Sequence, residues 1–193
     1  MSVIDAIYNR RSIRRFEQTK IPESILEKLV DCGRLAPSAA NLQPIEYIVI
    51  DREDVCQMVF PALRWAAYIH PQGIPKEGER PVAYIIVLIN TEKTTLGVQH
   101  DTGAAIENIL LAAYEEGIGS CWIGSIEREV LKTILKVPDH CQIDSVIALG
   151  YPLESPVVEE MRDSIRYWKD DTGILHVPKR PLKDILHKNI YRT

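Results

Sequence analysis

Two runs, Val82–Asn90 and Ile143–Gly150, constrain this chain most. The first is apolar at nearly every position, and the second is close to it. Successive side chains of a strand point to opposite faces. A strand apolar on both faces must therefore be covered on both faces. Segments with helical periodicity supply the cover. Asp101 or Thr102 opens one that runs to Glu116, with Ile106, Ile109, Leu110 and Ala113 as its stripe and Gly117 as its stop. Helices and strands alternate without a clean βαβ repetition. The expectation is an α+β fold with helices packed on a mixed or antiparallel sheet.

The rest of the chain reads as follows. Ser2 caps a short helix that ends near Arg10, with Ile4 and Ile7 on its buried face. Pro22 starts a second helix carrying Ile25, Leu29, Cys32 and Gly33, and Pro37 enforces its end. Glu46–Ile50 is a strand and Val55–Tyr68 a helix. His70–Pro81 is long for a simple connection, the kind of segment used as a lid or binding loop. Ser120–Ile126 is extended, and Glu127–Leu135 is a short helix. Ile165–Val177 is a hairpin turning at Asp171-Thr172-Gly173, and a last helix covers Pro181–His187. No repeat, low-complexity tract or linker interrupts the chain, so 1–193 reads as a single domain.

Net charge is −4 with pI near 5.8. A general nucleic-acid or anionic-membrane binder carries a basic excess, so neither partner is expected. Cys32, Cys56, Cys121 and Cys141 form no CxxC pair and no zinc-spaced cluster. They read as free thiols of a reducing cytoplasm. Asp5, Arg10 and Arg11 interrupt any signal-peptide apolar region. Val82–Ile89, the longest apolar run, is too short to span a bilayer.

Against this acidic background, Arg10-Arg11-Ser12-Ile13-Arg14-Arg15-Phe16 concentrates four arginines. If extended, it puts Arg10, Ser12 and Arg14 on one side and Arg11, Ile13 and Arg15 on the other. Two guanidiniums and a hydroxyl suit a dianionic phosphate. The alternative is a set of solvated arginines at a helix C-terminus. Ala36-Pro37-Ser38-Ala39-Ala40-Asn41-Leu42-Gln43-Pro44 is either a plain turn or a loop whose Asn41 and Gln43 amides meet a ring edge.

Gly117-Ile118-Gly119-Ser120-Cys121-Trp122-Ile123-Gly124 follows a helix and is not a phosphate-cradling GxGxxG. It is a buried strand or a backbone strip that a flat ring can approach closely. Trp122 fits the core better than a stacking role. Cys121, with apolar flanks and no base, reads as structural. His100-Asp101 reads as a helix cap, and no Ser/His/Asp set or metal site is defensible. Lys179-Arg180 reads as exposed in the absence of another argument. A planar heterocycle and an anion together suggest a phosphorylated aromatic cofactor.

The arginine segment, the Pro-Ser-Asn loop, Asp101–Gly124 and the tail His176-Val177-Pro178-Lys179-Arg180-Pro181-Leu182 together resemble the nitroreductase family in content and order. The resemblance covers essentially the whole chain. It implies a nitroreductase-like α+β fold, an intertwined homodimer and two flavin mononucleotide (FMN) sites at the dimer interface. Arg10, Arg11, Ser12 and Arg14 match positions for the phosphate, ribityl chain and ring edge. Pro37, Ser38, Ala39 and Asn41 match the segment reaching the flavin from the partner subunit, with Gln43 beside them. Trp122, Ile123 and Gly124 match the strip near N5, and Lys179 and Arg180 the basic pair closing on the phosphate.

Gly124 and Ser125 stand where many members carry an acid, which leaves a backbone N–H for N5. The chain is short, so His70–Pro81 is the candidate cover, and His70 or Arg64 the candidate mid-chain contact. The implied activity is ping-pong reduction of nitroaromatic, quinone, flavin or similar small acceptors by NADH or NADPH. The alternatives are a non-enzymatic flavin or ligand carrier, or divergent flavin chemistry such as dehalogenation or flavin fragmentation.

Overall fold

The computed structural model describes residues 2–191. Helices α1 (Val3–Asn9), α2 (Glu23–Arg34), α3 (Glu53–Val59), α4 (Val98–Glu115) and α5 (Arg128–Leu135) surround strands β1 (Ile45–Ile50), β2 (Ala83–Asn90), β3 (Gly119–Ile123) and β4 (Cys141–Gly150). These strands form one antiparallel sheet in the order β1-β2-β4-β3. The two runs singled out in the sequence are its inner strands. Every residue of β2 is buried.

Alternation divides the core in two. Ala83, Ile85 and Val87 pack with Leu26 and Leu29 of α2 and with Ile106, Ile109 and Leu110 of α4. Tyr84, Ile86 and Leu88 pack on the other face with Val59, Leu63 and Leu131. One helix pair thus covers one face, and α3, its following turn and α5 cover the other. Each fully buried Leu or Ile contributes about 1.5–3 kcal/mol through removal from water. A second, small sheet follows in the order β5-β7-β6, from β5 (Val157–Glu160), β6 (Trp168–Lys169) and β7 (Leu175–Lys179).

Several boundaries differ from expectation. Ser2 does cap α1 in a capping box with Asp5. However, α1 lies on α4 through Ala6, leaving Ile4 and Ile7 outside, 59% and 50% exposed. The helix expected over Val55–Tyr68 is only α3, followed by separate 3₁₀ turns at Phe60–Ala62 and Ala67–Ile69. Pro61 has no N–H to continue the ladder. Helix α4 starts at Val98 behind Gly97, which puts Asp101 inside its first turn, not at its cap. The expected last helix is a single 3₁₀ turn, Leu182–Asp184. Ile185 and Leu186 bury no face here that could stabilise anything longer.

Residues 10–16 are held against β3 and the end of β4. Ile13 N–H donates to Ser120 O at 2.9 Å, Glu17 N–H to Tyr151 O at 2.8 Å, and Leu153 N–H to Arg15 O at 2.9 Å. Ser12 and Ser120 form a parallel bridge. The approach is close because two glycines permit it. A Cβ on Gly119 would lie 3.0 Å from Ile13 Cβ, and one on Gly150 would lie 2.7 Å from Phe16 Cβ.

Candidate functional site

Anchoring Ile13 and Phe16 in the core leaves the neighbouring residues to face outward. Arg10, Arg11, Ser12 and Arg14 line one cavity of about 210 Å³, closed by Tyr167, Leu175, Val177 and Lys179. Five of the sequence-predicted residues therefore meet in one place. The chain is extended here, but the strict two-sided alternation is not kept: Arg11 joins Arg10, Ser12 and Arg14. Arg15 turns away and forms a two-bonded ion pair with Glu79, 2.9 and 2.5 Å.

The cations are not equivalent. Arg11 donates to the carbonyls of Tyr8 and Arg10 at the end of α1, so it also fills the helix-end role. Arg10 Nε lies 3.4 Å from the Glu107 carboxylate, an ion-pair contact. That nitrogen is buried and makes no hydrogen bond, so it retains a donor for an incoming oxyanion. The Arg14 guanidinium lies over the Tyr167 ring at 5.3 Å, and its backbone N–H donates to Glu154 at 2.6 Å. Burial pushes the Cys121 thiol up, and the nearby Arg14 guanidinium only partly opposes this. Cys121 is therefore a poor nucleophile, as its apolar flanks suggest.

The Pro37–Gln43 loop lies elsewhere on the chain. Pro37, Ser38 and Gln43 line a cavity of about 140 Å³ with Lys93, Asp101 and Tyr47. Within one chain this cavity shares no residue with the arginine cavity. Ala39 and Asn41 are exposed and line neither. The loop backbone is unusual: Ala40, Asn41 and Gln43 have φ of 49°, 56° and 51°, all left-handed and none of them glycine.

Trp122, Ile123 and Gly124 continue β3 beyond the Ser12–Ser120 bridge and line neither cavity. Ile123 is buried. Trp122 is not the core residue expected: it is 43% exposed. Its indole N–H donates to Ser145 Oγ at 2.8 Å, and Ser145 donates to Asp144 at 2.7 Å. The ring edge is fixed while the ring itself stays open to solvent. A Cβ at Gly124 would meet nothing within 4 Å, so the strip is open there too. Arg180 is exposed and donates to Asp184 O at 3.0 Å, and it does not join Lys179 in the arginine cavity.

The His70–Pro81 loop does not cover that cavity in this chain. Glu79 ties it to Arg15, and Glu77, Gly78, Arg80 and Pro81 line a different cavity with Gln18 and Lys20. Neither His70 nor Arg64 lines the arginine cavity, and Arg64 pairs with Glu127. Sequence reasoning missed the walls Tyr167, Leu175 and Val177, because hairpin patterning does not tell where the hairpin docks. It also misread Asp101, although a signal was present. Asp101 falls on the apolar stripe of α4, between Val98 and Ala105, where an acid needs a partner.

A cluster of cations and a hydroxyl is chemically suited to a phosphate. Ligand pockets typically enclose about 300–1,000 Å³. At about 210 Å³, the arginine cavity holds only part of a ligand of nucleotide size. Among the described residues no cluster suits a metal ion, and no helix is long and apolar enough to cross a membrane.

Comparison with known proteins identifies the family. A protein of Archaeoglobus fulgidus named "Putative NADH dehydrogenase/NAD(P)H nitroreductase" is 36% identical, covering 81% of this chain and 89% of its own. One of the same name from Methanothermobacter thermautotrophicus is 32% identical, covering 86% and 85%. The crystal structure of a Desulfovibrio desulfuricans protein named "putative nitroreductase", in complex with FMN, superimposes with a TM-score of 0.71. It is 24% identical and covers 100% of this chain and 99% of its own. The sequence pattern of the Nitroreductase family matches residues 7–151, and this chain belongs to that family.

Proposed function

We propose that this protein is an FMN-dependent oxidoreductase that takes hydride from NADH or NADPH and passes it to small acceptors such as nitroaromatics, quinones or flavins. The observation that carries this reading is the joint placement of Arg10, Ser12, Arg14 and Lys179 around one cavity, with a buried unbonded donor at Arg10 Nε. The names of the archaeal relatives and the FMN in the Desulfovibrio structure support it.

When bound, the flavin would supply the redox chemistry that links NAD(P)H to the acceptor in a ping-pong sequence. This chain's own residues bind and orient. Arg10, Ser12 and Lys179 hold the phosphate. Arg14, kept in place by the Tyr167 ring, supplies fixed positive charge for the ring edge. Trp122 and Gly124 offer an open strip beside the ring. No side chain of the site is poised as a nucleophile, in keeping with chemistry that resides in a cofactor.

The small single-chain cavity supports a homodimer in which Pro37–Gln43 of one protomer completes the flavin site of its partner. The family resemblance supplies the same arrangement. The test is an absorption spectrum of the purified protein before and after denaturation. Flavin bands, with one FMN released per chain, and steady NAD(P)H oxidation with a quinone are expected. Colourless protein that takes up no added FMN contradicts the reading. FMN binding without turnover would make the protein a carrier.

A further inference from the structure

Asp101 is the one acidic side chain on the apolar stripe of α4, and it is 5% exposed. It is absent from the arginine cavity and lines the cavity beside Ser38 and Gln43. Both its carboxylate oxygens accept from the backbone N–H of Ala39, at 3.1 and 3.3 Å. Two further tethers hold the same loop. Ser38 Oγ accepts from Gln43 N–H at 3.0 Å, and Lys93 Nζ donates to Gln43 O at 3.0 Å. Left-handed Ala40 and Asn41 lie between these tethers, and Gln43, the third left-handed residue, carries two of them.

Left-handed backbone is unfavourable for residues with a Cβ and persists only where surrounding contacts over-determine it. A free loop on the surface, as exposed as this one, would relax to ordinary turn geometry. The contacts that prevent relaxation converge on its two ends, and the one from Asp101 comes from a buried side chain. Such strain tends to be kept where a backbone must present fixed groups to a ligand.

We infer that Asp101 is a positioning residue. Its buried carboxylate holds Ala39–Gln43 in the strained shape that meets the cofactor. The inference rests on the proposed flavin site and adds the device that shapes one half of it. Lys93 is the secondary, exposed member of the same device.

The experiment measures FMN dissociation constants of the apo-protein by flavin fluorescence, alongside apo-protein melting temperatures, for wild type, Asp101→Leu, Asp101→Asn and Lys93→Met. Leu keeps the branched shape, though bulkier, and has no acceptor. Asn keeps one acceptor oxygen for Ala39 N–H. Asp101→Leu is expected to weaken FMN binding about tenfold or more, the size expected for losing a hydrogen bond to a charged group. Asp101→Asn should stay within about threefold of wild type, and Lys93→Met should fall between the two, near wild-type melting temperature.

A purely structural role would lower the melting temperature of Asp101→Leu and leave FMN affinity of the folded protein unchanged. That result overturns the inference. If Asp101→Leu does not fold, Lys93→Met decides: unchanged FMN affinity there contradicts the device. Wild-type apo-protein that binds no FMN defeats the functional reading instead, and the two failures are thus distinct.

Discussion

Residues 10–16 and residues 37–43, the two halves of the proposed flavin site, are built by opposite means. In the first, Ile13 and Phe16 are buried at 7% and 0% exposure, and the backbone bonds to β3 and to the chain after β4. The arginines are fixed because the segment between them is part of the core. In the second, Ala39, Ala40, Asn41 and Gln43 are exposed, three of them left-handed, and the loop is held at its ends by side chains. The first half draws its geometry from the hydrophobic effect. The second draws it from a few polar tethers working against backbone preference. A site built in this way has a rigid anion anchor and a pre-shaped but easily released second wall.

The sharpest way to break this comparison is to loosen the rigid half. Phe16→Ala removes a fully buried ring and is expected to lower stability by about 3–5 kcal/mol. It should also weaken FMN binding, because the arginines lose their anchor. Chemical denaturation of the apo-protein measures the first effect and fluorescence titration the second. If Phe16→Ala is destabilised but keeps wild-type FMN affinity, the arginines do not depend on the core for their placement.

Removing the anion anchor while sparing the core comes next. Arg10→Ala combined with Ser12→Ala should leave the fold intact and abolish FMN retention through purification. Full flavin occupancy in that variant refutes the phosphate assignment. Arg14→Ala should slow flavin reduction by NAD(P)H about tenfold or more, through loss of fixed charge at the ring. An unchanged reduction rate in stopped-flow measurements, with unchanged FMN affinity, removes Arg14 from that role.

The smallest expected effect sharpens the wall formed by β7. His176 sits between two carboxylates, Glu159 of β5 at 3.1 Å and Asp170 of the turn at 3.3 Å, stacked on Trp168. Burial lowers its pKa, but the two carboxylates together outweigh this and leave it raised. The raised folded value fixes the sign. The contribution to stability is fully present below the unfolded pKa of about 6.5 and is lost as pH rises through the folded value. His176 is flanked on β7 by Leu175 and Val177, both in the arginine cavity wall. Amide exchange of β7 should therefore quicken as pH rises above about 6.5, beyond the intrinsic pH dependence of exchange. His176→Gln should remove that excess. An excess that survives the substitution shows that another group titrates.

The inner strands were legible because two-sided apolarity has one physical reading. The arginine segment was legible because charge of one sign so concentrated in an acidic chain needs a reason. Trp122 was misread because its apolar neighbours do not reveal where helical cover on that face of the sheet ends. Asp101 was read as a cap because its place near a helix start masked its place on the buried stripe. The strain at Ala40 and Gln43 had no sequence signal, since neither is glycine, and only Asn41 is of a type that visits left-handed backbone readily.

The most direct test of a site made from a rigid half and a tethered half is complementation between chains. One chain carries Arg10→Ala and Ser12→Ala. The other carries Ser38→Ala and Asn41→Ala. Each is purified alone, and the mixed pair is isolated by two different tags. The account predicts that neither variant holds FMN alone, and that the mixed pair recovers one FMN for every two chains, because one of its two sites is intact. A mixed pair as empty as its parents would contradict it, since both halves would then have to come from the same chain.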